Sequence, residues 1–461
     1  MRIELPFELR DPTALASLFE CTLQKAGDAP IEIGGISTDT RELLAGDLFL
    51  ALRGERTDGH AYICDALSKG AGGVLCHEKI PPISGNYWVL ACKDTSTALL
   101  AAAKRKRAVA GARVIAVTGS AGKTTAKEAI ATILGGVPCN KGNFNSTVGM
   151  PLSLLEFPTA KYWVCELGIN HVGEMNEMAS ALSPDVAVIT NVGNAHIGNF
   201  GDFPTLLSQK MMIAEGMRED GILLLPKEIK ASLPQKPRCR MLSFGEGADL
   251  STENIAMDRS GVCCDFRVGK RVITNLRWPI AGVIGQTVIT IAAAVGVLCG
   301  RDDEQIRAGL LQAGACAPRM RVFHVGTRLL LEDCYNASPE AVMAAFESLR
   351  YLAAGRPTVA VLGDMLELGT QSRAMHAMLG EVLAKSGFYA LFTVGCAAFE
   401  IARAARRAGM AAARIYSFEA GECDATADAV LRHTPANAAI LIKGSHAMHL
   451  ERVCEKIRRT L

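Results

Sequence analysis

Short aliphatic and β-branched runs recur along the chain, each followed by a glycine-rich or polar break and then by a stretch suited to a helix. Gly46–Leu52, Gly73–Cys76, Val114–Thr118, Tyr162–Cys165, Asp185–Asn191, Leu329–Asp333, Thr358–Leu362, Leu391–Val394 and Ala439–Lys443 read as strands, and Ile31-Glu32-Ile33 as a short further one. Ala61–Gly70 reads as a helix closed by glycine, and helices are predicted at Ala126–Ala131 and Glu340–Tyr351. Strand and helix alternate, which predicts an α/β protein with open, mostly parallel sheets. One segment breaks the rhythm. Residues 230–279 carry several short strand patterns with turns, such as Gly261–Val268, and predict an antiparallel insertion. The 461 residues suffice for about three domains, expected at 1–108, 109–316 and 317–461. The last has a Rossmann-like rhythm but no G-x-G-x-x-G after its strands, so a dinucleotide is not expected there.

Trp278 to Gly300 contains no charged residue and is long enough to span a bilayer. Pro279, Gly282, Gly285, Gln286, Thr287 and Thr290 interrupt it, and no second such stretch exists, so it is expected to be a buried helix over 280–300. The net charge of +2 gives no field that would favour nucleic acid or a membrane surface. The basic run Lys104-Arg105-Lys106-Arg107 has no interleaved aromatics and is expected to be a solvated helix end. The fifteen cysteines are scattered, with no C-x-x-C pair, and the first residues hold no apolar signal segment; both point to a cytosolic chain with reduced thiols.

The sharpest chemical signal is Val114–Thr125. An apolar strand breaks into Gly119-Ser120-Ala121-Gly122, and Lys123-Thr124-Thr125 opens a helix. Glycines let backbone N–H groups approach an anion, and a helix start adds unpaired donors and partial positive charge. Lys123 would supply charge to the β/γ-phosphates and Thr124 a hydroxyl to Mg²⁺. Val117 stands where G-x-x-x-x-G-K-[ST] places its first glycine, so this is a shorter variant. Glu166 and His196 follow the ends of two further predicted strands, where open α/β sheets bind ligands. They should converge with Lys123 and Thr124. Glu166 suits Mg²⁺; an imidazole is a less usual ligand for it.

T-G-S-A-G-K-T-T at 118–125, E-L-G-I-N-H at 166–171 and T-N-V-G-N-A-H at 190–196 resemble the Mur ligases of peptidoglycan synthesis. D-T-R at 39–41, G-D-L-F-L-A-L at 46–52 and D-G-H at 58–60 are similar to an N-terminal domain found in part of that family. D-C-Y-N-A-S-P at 333–339 and L-G-D-M-L-E-L-G at 362–369 look like the members that add D-Ala-D-Ala to a UDP-linked muramoyl tripeptide, and the D-N-P-R signature of another branch is absent. The resemblance implies three α/β domains and a cytoplasmic, ATP-dependent amide ligase working through an acyl phosphate, as a monomer. It implies that Gly119 to Thr125, Asn145, Arg319, Asp333, Tyr335 and Asn336 hold ATP, and that Asp39, Thr40 and Arg41 lie near the uridine diphosphate. Two Mg²⁺ ions are implied, with Thr124 and Glu166 on one and His196 on another. Lys123, His196 and Lys210 are the implied catalytic residues. Lys210 matches a lysine that carries CO₂ in the family; as a carbamate it becomes a carboxylate able to ligate a cation. The role of Lys443-Gly444-Ser445 stays open.

Several positions depart from the family pattern. The helix opening at Gly282 has Ile284, Gly285 and Val288 where G-x-H-N-x-x-N is usual, which implies altered recognition of the nucleobase. Ser146, Met212 and His446 replace a common asparagine, acid and arginine. Two other functions remain: a folylpolyglutamate-synthetase-like ligase, which shares the glycine loop, and a nucleotide-binding protein of the same fold that has lost turnover.

Overall fold

The computed structural model describes residues 1–27, 32–54, 57–78, 84–193, 197–316 and 319–460. Three sheets follow one another along the chain. The first has six strands in the order Arg2–Glu4, Gly35–Ser37, Leu48–Leu50, Gly73–Cys76, Tyr87–Ala91, Thr22–Ala26; the inner four are parallel and the two edges antiparallel. The strand expected at Ile31–Ile33 is not there. Ile31 lies outside the described residues, Glu32 and Ile33 belong to no strand, with the Ile33 N–H donating to Arg10 O at 3.0 Å, and the strand begins at Gly35. The edge strands Arg2–Glu4 and Thr22–Ala26 gave little alternation to read, being short or largely solvent-facing.

The central sheet has eight strands, in the order Arg271–Trp278, Gly261–Val268, Leu250–Asp258, Arg240–Phe244, Ile222–Pro226, Val186–Ile189, Arg113–Thr118, Tyr162–Glu166. The segment 230–279 is therefore no insertion. Arg240–Phe244 pairs parallel with Ile222–Pro226, Leu250 continues the parallel order, and only the last pairings are antiparallel. Its alternation changes because the outer strands have one open face, whereas the inner ones are covered on both. The chain leaves Arg113–Thr118 for its neighbour on one side and returns to pair on the other. This is the reversal point at which open α/β sheets bind ligands.

The third sheet runs Arg321–Val325, Arg328–Asp333, Ala439–Lys443, Thr358–Gly363, Ala390–Val394, Ile415–Phe418, parallel except for its first pair. The uncharged stretch forms the helix Val283–Leu298, with Val288 to Gly296 buried, and no helix among the described residues is long and apolar enough to cross a membrane. It belongs to one apolar core that runs from the central sheet through Ile289 and Val295 to Val342, Phe346 and Leu349 of the helix Pro339–Ala353. The second and third units are thereby packed as one body.

The helix Thr95–Val109 joins the first two units, and the boundary expected at 108 falls one residue before its end. Asp94 caps it by accepting from Thr97 N at 2.7 Å. Leu99 and Ala102 pack into the first core and Ala103 into the second. Its basic run is not a solvated end. Arg105 donates to Leu18 O at 2.8 Å, while Arg107 is buried and donates to Leu182 O at 2.9 Å and to Asp185 at 3.0 Å. The contacts lie in segments remote in sequence, which a local charge pattern cannot reveal.

Candidate active site

The strand Arg113–Thr118 ends at the glycine turn, and the helix Lys123–Ile133 begins at once. Gly119 has φ +148°, and a Cβ there would lie 2.0 Å from Thr190 Oγ1, so only glycine fits. Thr190 and Asn191 shape the turn. Thr190 Oγ1 donates to Ala121 O at 2.6 Å, and Asn191 Oδ1 accepts from Ser120 N at 3.0 Å and Ala121 N at 2.8 Å. The donors at the helix start itself, Lys123 to Thr125, face the cleft described below. Lys123 Nζ donates to Gly119 O at 2.9 Å; burial pulls its pKa below the ordinary lysine value, Glu166 opposes this, and Arg319 adds to it.

Glu166 closes the strand Tyr162–Glu166 and is buried. Its two oxygens accept from Thr124 Oγ1 and from Asn145 Nδ2, each at 2.8 Å. Arg319 donates to Thr124 Oγ1 at 3.4 Å. A continuous hydrogen-bond chain thus links Arg319, at the entrance to the third unit, with Asn145 in the second. Asn140 braces it from behind. It donates to the Glu166 carbonyl at 2.9 Å, accepts from Glu166 N at 2.8 Å, and donates to Phe144 O at 2.7 Å. The sequence shows the amide-rich loop 140–151, but only the fold shows that its first asparagine is the brace.

Lys210, on the helix Phe203–Met211, is buried and donates to Gly119 O at 3.2 Å. Burial, and then the charge of Lys123, bring its pKa down to about 7. Such a lysine is about half neutral amine at neutral pH, and the neutral amine is the form that can attack CO₂. His196 lies outside the described residues.

The third unit faces this site with the carboxyl ends of its strands. Asp333 pairs in register with Lys443, and the two form an ion pair at 2.6 Å. Lys443 is buried and also donates to Asn336 O at 2.7 Å. This gives the late Lys443 a place: it fixes the turn that carries Asp333 and Asn336. Ser445 continues the tie, its Oγ accepting from Leu366 N at 2.9 Å. Arg319 lies flat on Tyr335, with Cζ 3.3 Å from the ring centroid, and His446 stacks on Tyr335 at 5.3 Å.

These groups line one cleft of about 370 Å³ between the second and third units; its walls include Lys123, Thr124, Glu166, Lys210, Arg319 and Asp333. Gly119 to Thr125, Asn145, Tyr335 and Asn336 also line it. Asp39, Thr40 and Arg41 do not. Arg41 is exposed and paired with Asp39, beside Thr38, whose N–H donates to Met1 O at 2.9 Å; Met1 reaches the cleft's edge. A second cavity of about 310 Å³ lies against Ala121 and Gly122, walled by Phe244, Ile284 and Val288, with Thr252 and Gln286 hydrogen-bonded at 2.8 Å.

The charges define the chemistry. Lys123, Arg319 and a helix N-terminus surround space suited to a polyanion. A carboxylate and a hydroxyl side by side, Glu166 and Thr124, form an all-oxygen donor pair suited to a hard divalent cation such as Mg²⁺.

Comparison with known proteins agrees with this architecture. Three family models match in succession: the Mur ligase family catalytic domain over residues 32–121, the Mur ligase middle domain over 117–298, and the Mur ligase glutamate ligase domain over 318–446. The chain belongs to the Mur ligase family. It is 34% identical to a UDP-N-acetylmuramoyl-tripeptide–D-alanyl-D-alanine ligase of Treponema pallidum, over 92% of this chain and 94% of that one. Its fold is similar to a crystal structure of MurF from Acinetobacter baumannii, with a TM-score of 0.85 and 29% identity over 96% and 98% of the two chains. MurF from Thermotoga maritima, crystallised in complex with ADP, aligns with a TM-score of 0.78 and 25% identity over 92% of this chain and 97% of that one.

Proposed function

We propose that this chain is the ATP-dependent ligase that joins D-alanyl-D-alanine to a UDP-N-acetylmuramoyl tripeptide in peptidoglycan precursor synthesis. The observation that carries this most directly is the hydrogen-bond chain from Arg319 through Thr124 and Glu166 to Asn145, set across a phosphate loop in a cleft between two units. The full-length similarity to ligases of that name supports the choice of substrates.

In this assignment the glycine turn, Lys123 and Arg319 hold the triphosphate, and the neighbouring apolar cavity takes the base. Ile284 and Val288 offer the base apolar contact in that cavity, while Thr252, Gln286 and Thr287 supply the polar side chains near its edges. Thr124 and Glu166 would hold one Mg²⁺, and His196 and a carbamylated Lys210 would contribute to a second. Bound Mg²⁺ would supply neutralisation of phosphate charge. A carboxylate oxygen of the tripeptide attacks the γ-phosphorus and ADP leaves. The amine of D-Ala-D-Ala then attacks the acyl carbon, phosphate leaves, and the amine gives up its proton. Lys123 and Arg319 lower the barrier by being already placed where negative charge accumulates. Asp333, Tyr335 and Asn336 complete the nucleotide's far side, fixed by Lys443. Asp39, Thr40 and Arg41 stand toward the uridine diphosphate of the long acceptor. The working unit in this proposal is one chain, acting in the cytoplasm, where ATP and UDP-linked precursors meet.

The test is phosphate release by the purified protein with ATP, Mg²⁺ and UDP-muramoyl-tripeptide, with and without D-Ala-D-Ala, together with the mass of the UDP product. Release that requires the dipeptide, with a product heavier by the dipeptide less one water, is the expected result. ATP binding without release for any acceptor would instead favour a nucleotide-binding protein that has lost turnover.

A further inference from the structure

Away from the cleft, His60, His77 and Glu78 stand together in the first unit, their ligand atoms all within 4.8 Å of one another. Among the described residues this is the one grouping of three or more such side chains with that spacing. We propose that it is a binding site for one zinc-class divalent ion, which ties the turn Asp58–His60 to the residues that follow the strand Gly73–Cys76.

The tautomer of His60 is set for ligation. Its Nδ1 lies 2.7 Å from Asp58 Oδ1, which also accepts from the His60 backbone N–H at 3.0 Å. A carboxylate oxygen accepts, so Nδ1 carries the proton and Nε2 the lone pair. A carboxylate behind an imidazole is the support that metal-ligating histidines usually have. The lone pair points at the His77 segment, where the His77 backbone N–H donates to it at a long 3.2 Å. The ring is held inside the protein, its side chain 5% exposed, and the two imidazoles meet edge to face at 4.1 Å.

His77 supplies the second indication. Its Nδ1 is buried and has no hydrogen-bond partner. An orphaned buried nitrogen is destabilising, and a coordinate bond satisfies it. Glu78 completes the set with a carboxylate. Arg53 donates to Glu78 Oε1 at 2.7 Å and to Asp58 Oδ2 at 2.8 Å, which positions both carboxyl groups beside the site and leaves the second Glu78 oxygen as the ligand. Two imidazoles and one carboxylate, with an open fourth position, suit Zn²⁺ rather than Mg²⁺ or Ca²⁺. Tetrahedral zinc places its donors about 3.3 Å apart, so the side chains need close only modestly. The backbone is already braced for this: a Cβ on Gly59 would come within 2.7 Å of Leu52 N, which fixes the turn that presents His60.

The experiment is a zinc sulfate titration of chelator-treated protein against a chromophoric zinc indicator, with wild type, His77→Ala and Glu78→Gln compared. Wild type should take up one zinc per chain more than His77→Ala, and Glu78→Gln should bind that zinc at least tenfold more weakly. Zinc should raise the melting temperature of wild type more than that of His77→Ala. Mg²⁺-dependent turnover of His77→Ala should stay unchanged, because the cluster lies outside the cleft. Any zinc held at the cleft is common to all three proteins and cancels. Equal uptake with equal affinity in all three would overturn the proposal. Should His77→Ala fail to fold, the exposed Glu78→Gln change decides alone, and unchanged zinc affinity there overturns it.

Discussion

The Nζ atoms of Lys123 and Lys210 converge on a single acceptor, the carbonyl oxygen of Gly119, at 2.9 and 3.2 Å. One carbonyl cannot neutralise two ammonium groups, and burial raises the cost of charging either. Lys123 has Glu166 to offset part of that cost; Lys210 has no such acid among the causes of its shift. Burial thus pulls both lysines below the ordinary lysine value; Glu166 opposes the shift at Lys123, and the charge of Lys123 adds to it at Lys210.

Lys123→Ala should reduce turnover by about a thousandfold or more, the range found when a placed electrostatic group is removed from a transition state. Phosphate release under saturating ATP measures it. Folding should survive, since the substitution removes a buried cation rather than a packed apolar group; an unchanged melting temperature would separate lost catalysis from lost structure.

Lys210→Ala should also lose activity, but part should return with added formate or acetate, which can put a carboxylate where the carbamate stood. Wild-type protein stripped of CO₂ should regain activity when CO₂ is restored and, at equal dissolved CO₂, faster at pH 8 than at pH 6. The neutral amine is the attacking form, and its fraction rises through the pKa of about 7. Absence of both effects would remove the carbamate while leaving the ligase assignment intact.

The same residue predicts a pH dependence of stability. In CO₂-free buffer the unfolded chain keeps the Lys210 proton up to about pH 10.4, whereas the folded chain releases it near 7. Between these values the unfolded state binds more protons, so this group makes stability rise with pH. Below about 7 its penalty is complete. Lys210→Met should therefore be more stable than wild type at pH 6, with the advantage shrinking by pH 9, as urea unfolding at the two pH values can show.

Arg107→Ala should cost about 1–3 kcal/mol in urea unfolding, because it removes one partner of Asp185, which keeps Val114 N–H and Arg218, and takes away the guanidinium bonds to the carbonyls of Leu182 and Ser183. The loss should be structural: the altered side chain stands at the joint between the first two units, away from the cleft, and KM for ATP should hold.

What the sequence revealed follows from the range of each signal. The phosphate loop is local: strand, glycines, lysine and helix lie within twelve residues, so Gly119 to Thr125 could be read directly. Glu166 could be placed at a strand end because the buried inner strands are near-continuous apolar runs. Arg107 and Asn140 could not. Each acts through partners far along the chain or through backbone groups, and neither residue type announces that. The segment 230–279 was misleading for a related reason. Strand alternation reports which faces are covered, not which sheet a strand joins, and these strands extend the sheet they were expected to interrupt. Lys443 and Asp333 show the remaining case: their ion pair depends on two parallel strands coming into register across more than a hundred residues.

The last prediction concerns closure of the cleft. Gly198 and Gly369 meet backbone to backbone between the second and third units: a Cβ on Gly198 would lie 2.4 Å from Gly369 N, and Gly198 N donates to Glu367 O at 3.2 Å. Neither backbone can yield as a flexible side chain would. Gly198→Ala should therefore hold the third unit away from the second, moving Arg319 and Asp333 off the phosphate loop while the loop itself stays intact. The expected result is ATP binding weakened only modestly, with kcat reduced by about a hundredfold, since a displacement of about 1 Å at the reacting groups can cost that much. Small-angle scattering should show a more extended chain than wild type in the presence of ATP. If Gly198→Ala retains both kcat and the wild-type scattering profile, the contact between these two glycines does not set the closed arrangement, and the packing of the helix Pro339–Ala353 on the central unit must suffice to do so.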